Sequence, residues 1–139
     1  MVSLVLVSHS KSLAEGLRDM VEQVAGDSVR VGAAGGTADG RLGTNAEAIV
    51  DALRASLADG PDGVLVLLDL GSAWLSVEMA LEELSDIERA RIHVREAPLV
   101  EGAVLAAVQA SVGGTLAEVA AAAAGAASMS KAPGGSSNA

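Results

Sequence analysis

The sequence predicts an α/β domain in which a parallel sheet carries helices on both faces. Two patterns predict it. Short continuous apolar runs, the mark of strands covered on both sides, alternate with longer amphipathic segments, and that alternation builds βαβ units. The polar, glycine-bearing stretches follow the apolar runs, which gathers them at the carboxyl edge of the sheet, where open α/β folds bind and react. With 139 residues and 50% hydrophobic side chains, the chain has the length of one domain and material for a sizeable core. That core must be aliphatic, since Trp74 is the only aromatic residue.

Val2 to Val7 reads as the first strand. Behind it Leu13, Leu17, Met20, Val21 and Val24 recur at helical spacing, with Ser12 and Glu15 spaced as a capping box and Gly26 closing the helix. Ser28 to Ala33 is a second short strand, running into the glycine-rich loop from Gly35 to Gly43. Thr44 and Glu47 again have capping-box spacing and open a helix to about Ala58. The turn Asp59-Gly60-Pro61-Asp62-Gly63 leads to the third and most hydrophobic strand, Val64 to Leu68. Asp69-Leu70-Gly71-Ser72 follows, then a helix to about Leu84. Arg91 to Arg95 is a fourth, more polar strand. Two more helices are expected, from about Val100 to Val112 and from Thr115 to about Ala124, the second with Thr115 and Glu118 as its capping box. From Ser128 onward the composition cannot bury enough apolar surface to order itself. The expected organisation is one domain over residues 1–127 and a disordered tail over residues 128–139.

A formal charge of −9 argues against nucleic acid or an anionic membrane surface as partner and favours a basic one. The chain has no cysteine, which removes disulfide and thiolate chemistry and is compatible with the cytosol. The start lacks a basic n-region, and the alanine-rich stretch from Leu116 to Ala127 is shorter than the roughly 18 to 20 apolar residues of a spanning helix. A cytoplasmic protein is expected.

His9 stands immediately after the first strand. If the strand order is 2-1-3-4, the first and third strands are neighbours, and His9, the Gly35–Gly43 loop and the Asp69–Ser72 turn meet at the switch point. A nucleophilic histidine needs one free ring nitrogen and a hydrogen bond that fixes the other, which Asp69 or a backbone carbonyl could supply. The glycine loop and the Gly71-Ser72 helix start offer unpaired N–H groups suited to a phosphoryl group. Phosphoryl transfer through a phosphohistidine fits these parts. The bland alternative for His9 is an ordinary loop residue. A Ser72–His9–Asp69 hydrolase triad lacks the G-x-S-x-G elbow, and two histidines without cysteine make a poor metal set. Neither G-x-x-x-x-G-K-[ST] nor G-x-G-x-x-G is present, so no cofactor is expected. His93 reads as structural, and Trp74 as either core or a partner contact.

VLVSHSKSLAEG, AAGGTADGRLGTNA, LLDLGSAWLSVEMA and EAPLVEGAV together resemble the phosphotransferase subunits of phosphoenolpyruvate-dependent dihydroxyacetone kinases, which are similar to mannose-type enzyme IIA domains of the sugar phosphotransferase system. The resemblance runs from about Val2 to Ala124. It implies a doubly wound, mainly parallel sheet of four to five strands, a homodimer, and phosphorylation of His9 at Nε2. The donor it implies is the histidine-containing phosphocarrier protein, and the acceptor is ADP on the nucleotide-binding kinase subunit. Gly36 and Thr37 match the family's GGT loop, and Asp69, Gly71 and Ser72 its DLGS turn. Asp69 is expected to orient the imidazole and the others to contact phosphoryl oxygens. Trp74 departs from the aliphatic residue or methionine expected there. The chain closes soon after this domain, so a separate phosphocarrier is expected. Two other outcomes stay open: the enzyme IIA component of a mannose-type transporter, and a non-catalytic regulatory module.

Overall fold

The first strand owes its place to a run in which every side chain is buried, β1 (Ser3–Ser8); in the computed structural model, which describes residues 1–132 and 134, it lies at the centre of the sheet. The other elements are α1 (Lys11–Ala25), β2 (Val31–Gly35), α2 (Ala46–Asp59), β3 (Val64–Leu68), α3 (Trp74–Glu82), α4 (Asp86–Arg89), β4 (Ile92–Val94), α5 (Leu99–Ser111) and α6 (Leu116–Gly125), with 3-10 turns at Gly71–Ala73 and Ala126–Ser128. The sheet has four strands in the order β2-β1-β3-β4, all pairs parallel. This is the order that makes β1 and β3 neighbours.

Alternation along the central strands divides the core into two layers. Leu4, Leu6, Leu65 and Leu67 pack with residues of α1, α5 and α6, while Val5, Val7, Val64 and Val66 pack with α2 and α3. The leucine face meets alanines, Ala103, Ala106, Ala107 and Ala110 on α5 with Ala120 and Ala123 on α6. Long side chains from the sheet thus fill the space that short ones on the helices leave, which is how a chain almost free of aromatics reaches interior density.

Several boundaries differ from the sequence expectation for local reasons. The α1 cap is Ser10, whose Oγ accepts from the Leu13 N–H; the Ser12/Glu15 spacing falls inside the first turn. The α2 cap is Asn45, accepting from Glu47 and Ala48, whereas Thr44 pairs with Ser76 Oγ at 2.5 Å and ties the glycine loop to α3. Thr115 and Glu118 do form the expected capping box. The four-residue α4 was missed; Ser85 and Glu88 close a capping box around it. The expected tail is described only in its first residues, where Ser128 ends the last 3-10 turn and Lys131 Nζ reaches Glu101 at 3.0 Å; residues 133 and 135–139 lie outside the described residues. Among the described residues no helix is long and apolar enough to cross a membrane.

Candidate functional site

The register of the two central strands brings the site together. Val7 lies opposite Leu68, and the Asp69 N–H donates to Val7 O at 3.0 Å, so both chains leave the sheet at the same level. Ser8 and His9 therefore meet Asp69 although some 60 residues separate them in sequence.

Both oxygens of the Asp69 carboxylate are fully engaged. Oδ2 accepts from Ser8 Oγ and from the His9 backbone N–H, each at 2.9 Å. Oδ1 lies 2.9 Å from His9 Nδ1 and accepts from the Leu70 N–H at 2.7 Å. Burial pushes the Asp69 carboxyl toward its neutral form and is the largest single influence. The hydrogen bonds from His9, Ser8 and Leu70 together outweigh it and hold the pKa below the ordinary aspartate value. An ionised carboxylate only accepts hydrogen bonds, so His9 Nδ1 carries the proton. In the neutral ring Nε2 then bears the lone pair, and it faces Ser72 Oγ at 2.9 Å. The His9 side chain is 24% exposed, enough for an incoming group to reach it.

The surrounding chain fixes this imidazole. Ser10 N–H donates to Ser8 Oγ at 3.1 Å, and the Gly43 N–H donates to His9 O at 2.8 Å. The strand end of β2 presses on the same segment: a Cβ on Gly35 would stand 2.5 Å from Ser10 O. Gly36 turns the loop away at φ +80, a conformation that favours glycine. The first turn of α1 begins directly after Ser10, so its N–H groups open beside His9.

Of the residues expected at the site, His9, Asp69 and Ser72 form one hydrogen-bonded group, and Gly71 opens the 3-10 turn that carries Ser72. Gly36 reaches the segment through its backbone, near Lys11. Thr37 is a different case. Its hydroxyl donates to Asp39 and accepts from the Arg41 N–H at 3.0 Å, so it is spent inside the loop. Ser8 was missed, although a fully buried serine at a strand end signals a polar group with a partner to satisfy. His93 is half-buried on the edge strand β4, away from this group. Among the described residues no three His, Asp or Glu side chains converge as metal ligands.

Residues 3–120 match the EIIA-man family, described as PTS system fructose IIA component. The chain belongs to this family. Its EIIA-man relatives include "PEP-dependent dihydroxyacetone kinase 2, phosphoryl donor subunit DhaM" of Listeria innocua serovar 6a, 46% identical over 109 residues, with 78% of this chain and 86% of the relative covered. The corresponding DhaM subunit of Escherichia coli K12 is 42% identical over 122 residues, 86% of this chain but 25% of that protein. The chain thus spans most of the first relative and a quarter of the second. In three dimensions this EIIA-man chain is similar to the crystal structure of the protein of unknown function EF1359, with a TM-score of 0.80 and 37% identity, covering 89% of this chain and 93% of that one.

Proposed function

We propose that this chain is a phosphocarrier subunit of a dihydroxyacetone kinase. His9 accepts a phosphoryl group from a histidine-containing phosphocarrier protein and passes it to ADP held on the nucleotide-binding kinase subunit. The observation that carries the reading is the polarised imidazole: Nδ1 held by Asp69 Oδ1 at 2.9 Å and Nε2 turned to Ser72. Relatives named as phosphoryl donor subunits at 40% identity or more support the kinase as the destination.

In the forward step the Nε2 lone pair attacks the phosphorus of the donor's phosphohistidine. The N–P bond of the donor breaks, and the donor ring keeps the electron pair. Asp69 contributes by holding the Nδ1 proton and by offsetting the positive charge that builds on the ring as Nε2 bonds to phosphorus. Ser72 O–H, released from Nε2, and the backbone N–H groups of Gly71 and Ser72 and of Lys11 and Ser12 at the α1 start are placed to donate to phosphoryl oxygens. Gly36 supports the turn beside Lys11. The working unit is residues 1–127, acting in the cytoplasm as a homodimer.

The test is incubation with phosphoenolpyruvate, enzyme I and the carrier protein, read by intact mass. One phosphoryl group should be gained, be lost in acid and survive alkali, and be absent from His9→Ala. Label that persists in His9→Ala overturns the reading, as does kinase activity supported by His9→Gln in reconstitution, which a regulatory module would give. Chasing the labelled protein with the ADP-loaded kinase subunit and, separately, with a transporter IIB component decides the acceptor.

A further inference from the structure

Beside the His9 group, the carboxyl edge of the sheet holds a cleft of about 640 Å³ between the turn after β3 and the segment after β4. Asp69, Leu70, Gly71, Trp74, Arg95 and Glu96 line it. Its volume falls in the range of small-molecule sites. Asp69 belongs to both places: its carboxylate holds the imidazole, and it forms part of the cleft wall.

Two of the lining residues have no evident task in the fold. Trp74 is 44% exposed, its indole N–H donating to Glu78 Oε1 at 2.6 Å. Arg95 is exposed; its backbone N–H holds Val66 O at 3.2 Å, and its guanidinium enters no ion pair among the described residues. The other cations of the nearby loops are differently disposed. Arg41 is bound to Asp39 at 2.9 Å and Lys11 lies 3.9 Å from Glu15. A phosphorylated His9 would stand beside an ionised Asp69 in a chain of charge −9, with no cation bonded to the imidazole.

Resting on the function proposed above, we infer that this cleft is the acceptor subsite: Arg95 receives the non-reacting phosphate of the nucleoside diphosphate presented by the acceptor subunit, and Trp74 walls the nucleoside. In the transfer an oxygen of the terminal phosphate attacks the phosphorus on Nε2. The P–N bond breaks, its electron pair returns to Nε2, and a nucleoside triphosphate leaves with the acceptor subunit. The donor step explains neither residue. A phosphohistidine donor delivers one phosphoryl group and retires as a neutral ring, whereas a nucleotide brings a second phosphate and a base beyond the reacting atom. A guanidinium and an aromatic ring in one cleft answer both.

The test compares two single-turnover rates in wild type, Arg95→Gln and Arg95→Lys: phosphorylation of His9 by the carrier protein, and the chase of phosphorylated protein with the acceptor subunit and ADP. In Arg95→Gln the chase should slow at least tenfold more than the phosphorylation, with partial recovery in Arg95→Lys. Equal slowing of both steps, or no slowing, overturns the subsite while leaving the proposed function standing. A wild-type protein that accepts phosphate but yields no ATP in the chase overturns both.

Discussion

His9 Nδ1 and Asp69 Oδ1 lie 2.9 Å apart, and the same carboxylate also holds the His9 backbone N–H. One residue therefore sets the ring's tautomer and its position. Asp69→Asn keeps the shape and changes the pattern: with its carbonyl toward Ser8 and the His9 N–H, its NH2 faces Nδ1 as a donor. The proton must then sit on Nε2 and block the nucleophile. Phosphorylation of His9 should slow by about 10²- to 10⁴-fold, the range for losing a correctly placed proton or tautomer. Rapid-quench phosphorylation measures this, and a loss under about threefold would remove Asp69 from the mechanism.

Ser72 Oγ lies 2.9 Å from Nε2, in the direction from which the phosphoryl group must come. Ser72→Ala deletes a donor to the product's phosphoryl oxygens but also frees Nε2 from a resting hydrogen bond, and the two effects partly offset. About a tenfold slower phosphorylation is expected, less than the loss of a full oxyanion donor. Ser72→Thr should recover most of the rate. A Ser72→Ala rate equal to wild type would show that backbone groups suffice.

Asp69 also predicts a pH dependence of stability. Burial, the largest influence, raises its pKa, but the bonds from His9, Ser8 and Leu70 prevail and lower it. A carboxyl whose folded pKa is depressed stabilises the fold fully above the unfolded value of about 3.9 and loses that contribution as pH falls through the folded one. The stability difference between wild type and Asp69→Asn should thus shrink as pH falls below about 4. Urea midpoints of both proteins above and below that pH test it. A difference that stays constant to pH 3 would contradict the hydrogen-bond account.

Much of this was legible because the two central strands, β1 and β3, are almost fully covered. A run such as Val64 to Leu68 has no polar residue to confuse its reading, and its observed limits are the expected ones. The site was legible for a related reason: a parallel sheet sends every strand-to-helix turn to one edge, so His9 and Asp69 could be paired once β1 and β3 were neighbours. Caps were harder. Ser10, Ser12, Thr44 and Asn45 all satisfy the local chemistry, and the choice falls to tertiary contacts, Ser76 drawing Thr44 away and Ser8 steering Ser10. The role of Ser8 was hidden because its partner lies 61 residues away. The sequence pattern offers the Thr37 hydroxyl to a phosphoryl group because its pairing with Asp39 and Arg41 depends on a turn that composition does not specify.

The acidic surface bears on kinetics. With a net charge of −9, encounter with a basic partner is steered electrostatically, and exposed charges are screened over about 8 Å at physiological salt. The second-order rate of phosphorylation by the carrier should fall several-fold between about 0.02 and 0.3 M salt, with the first-order transfer step unchanged. A salt-independent rate would mean that docking is mainly apolar.

Gly35 tests how far the site depends on the neighbouring strand. It ends β2 against the Ser10 carbonyl, where an added Cβ would stand 2.5 Å from the oxygen and 3.1 Å from Lys11 Cα. Both are backbone atoms, so the crowding cannot be relieved by a side-chain rotation. Either β2 retreats or the segment carrying His9 shifts. Gly35→Ala should therefore cost about 1 to 3 kcal/mol of stability, the usual penalty of overpacking, and slow phosphorylation of whatever protein remains folded. Gly16→Ala is the matched control, because nothing lies within 4 Å of its Cβ position and alanine favours a helix interior by up to about 1 kcal/mol over glycine. If Gly35→Ala loses stability but phosphorylates at the wild-type rate, the strand has given way and the His9 segment keeps its place without it. If both properties fall together, the close approach of β2 is part of what holds the imidazole in register.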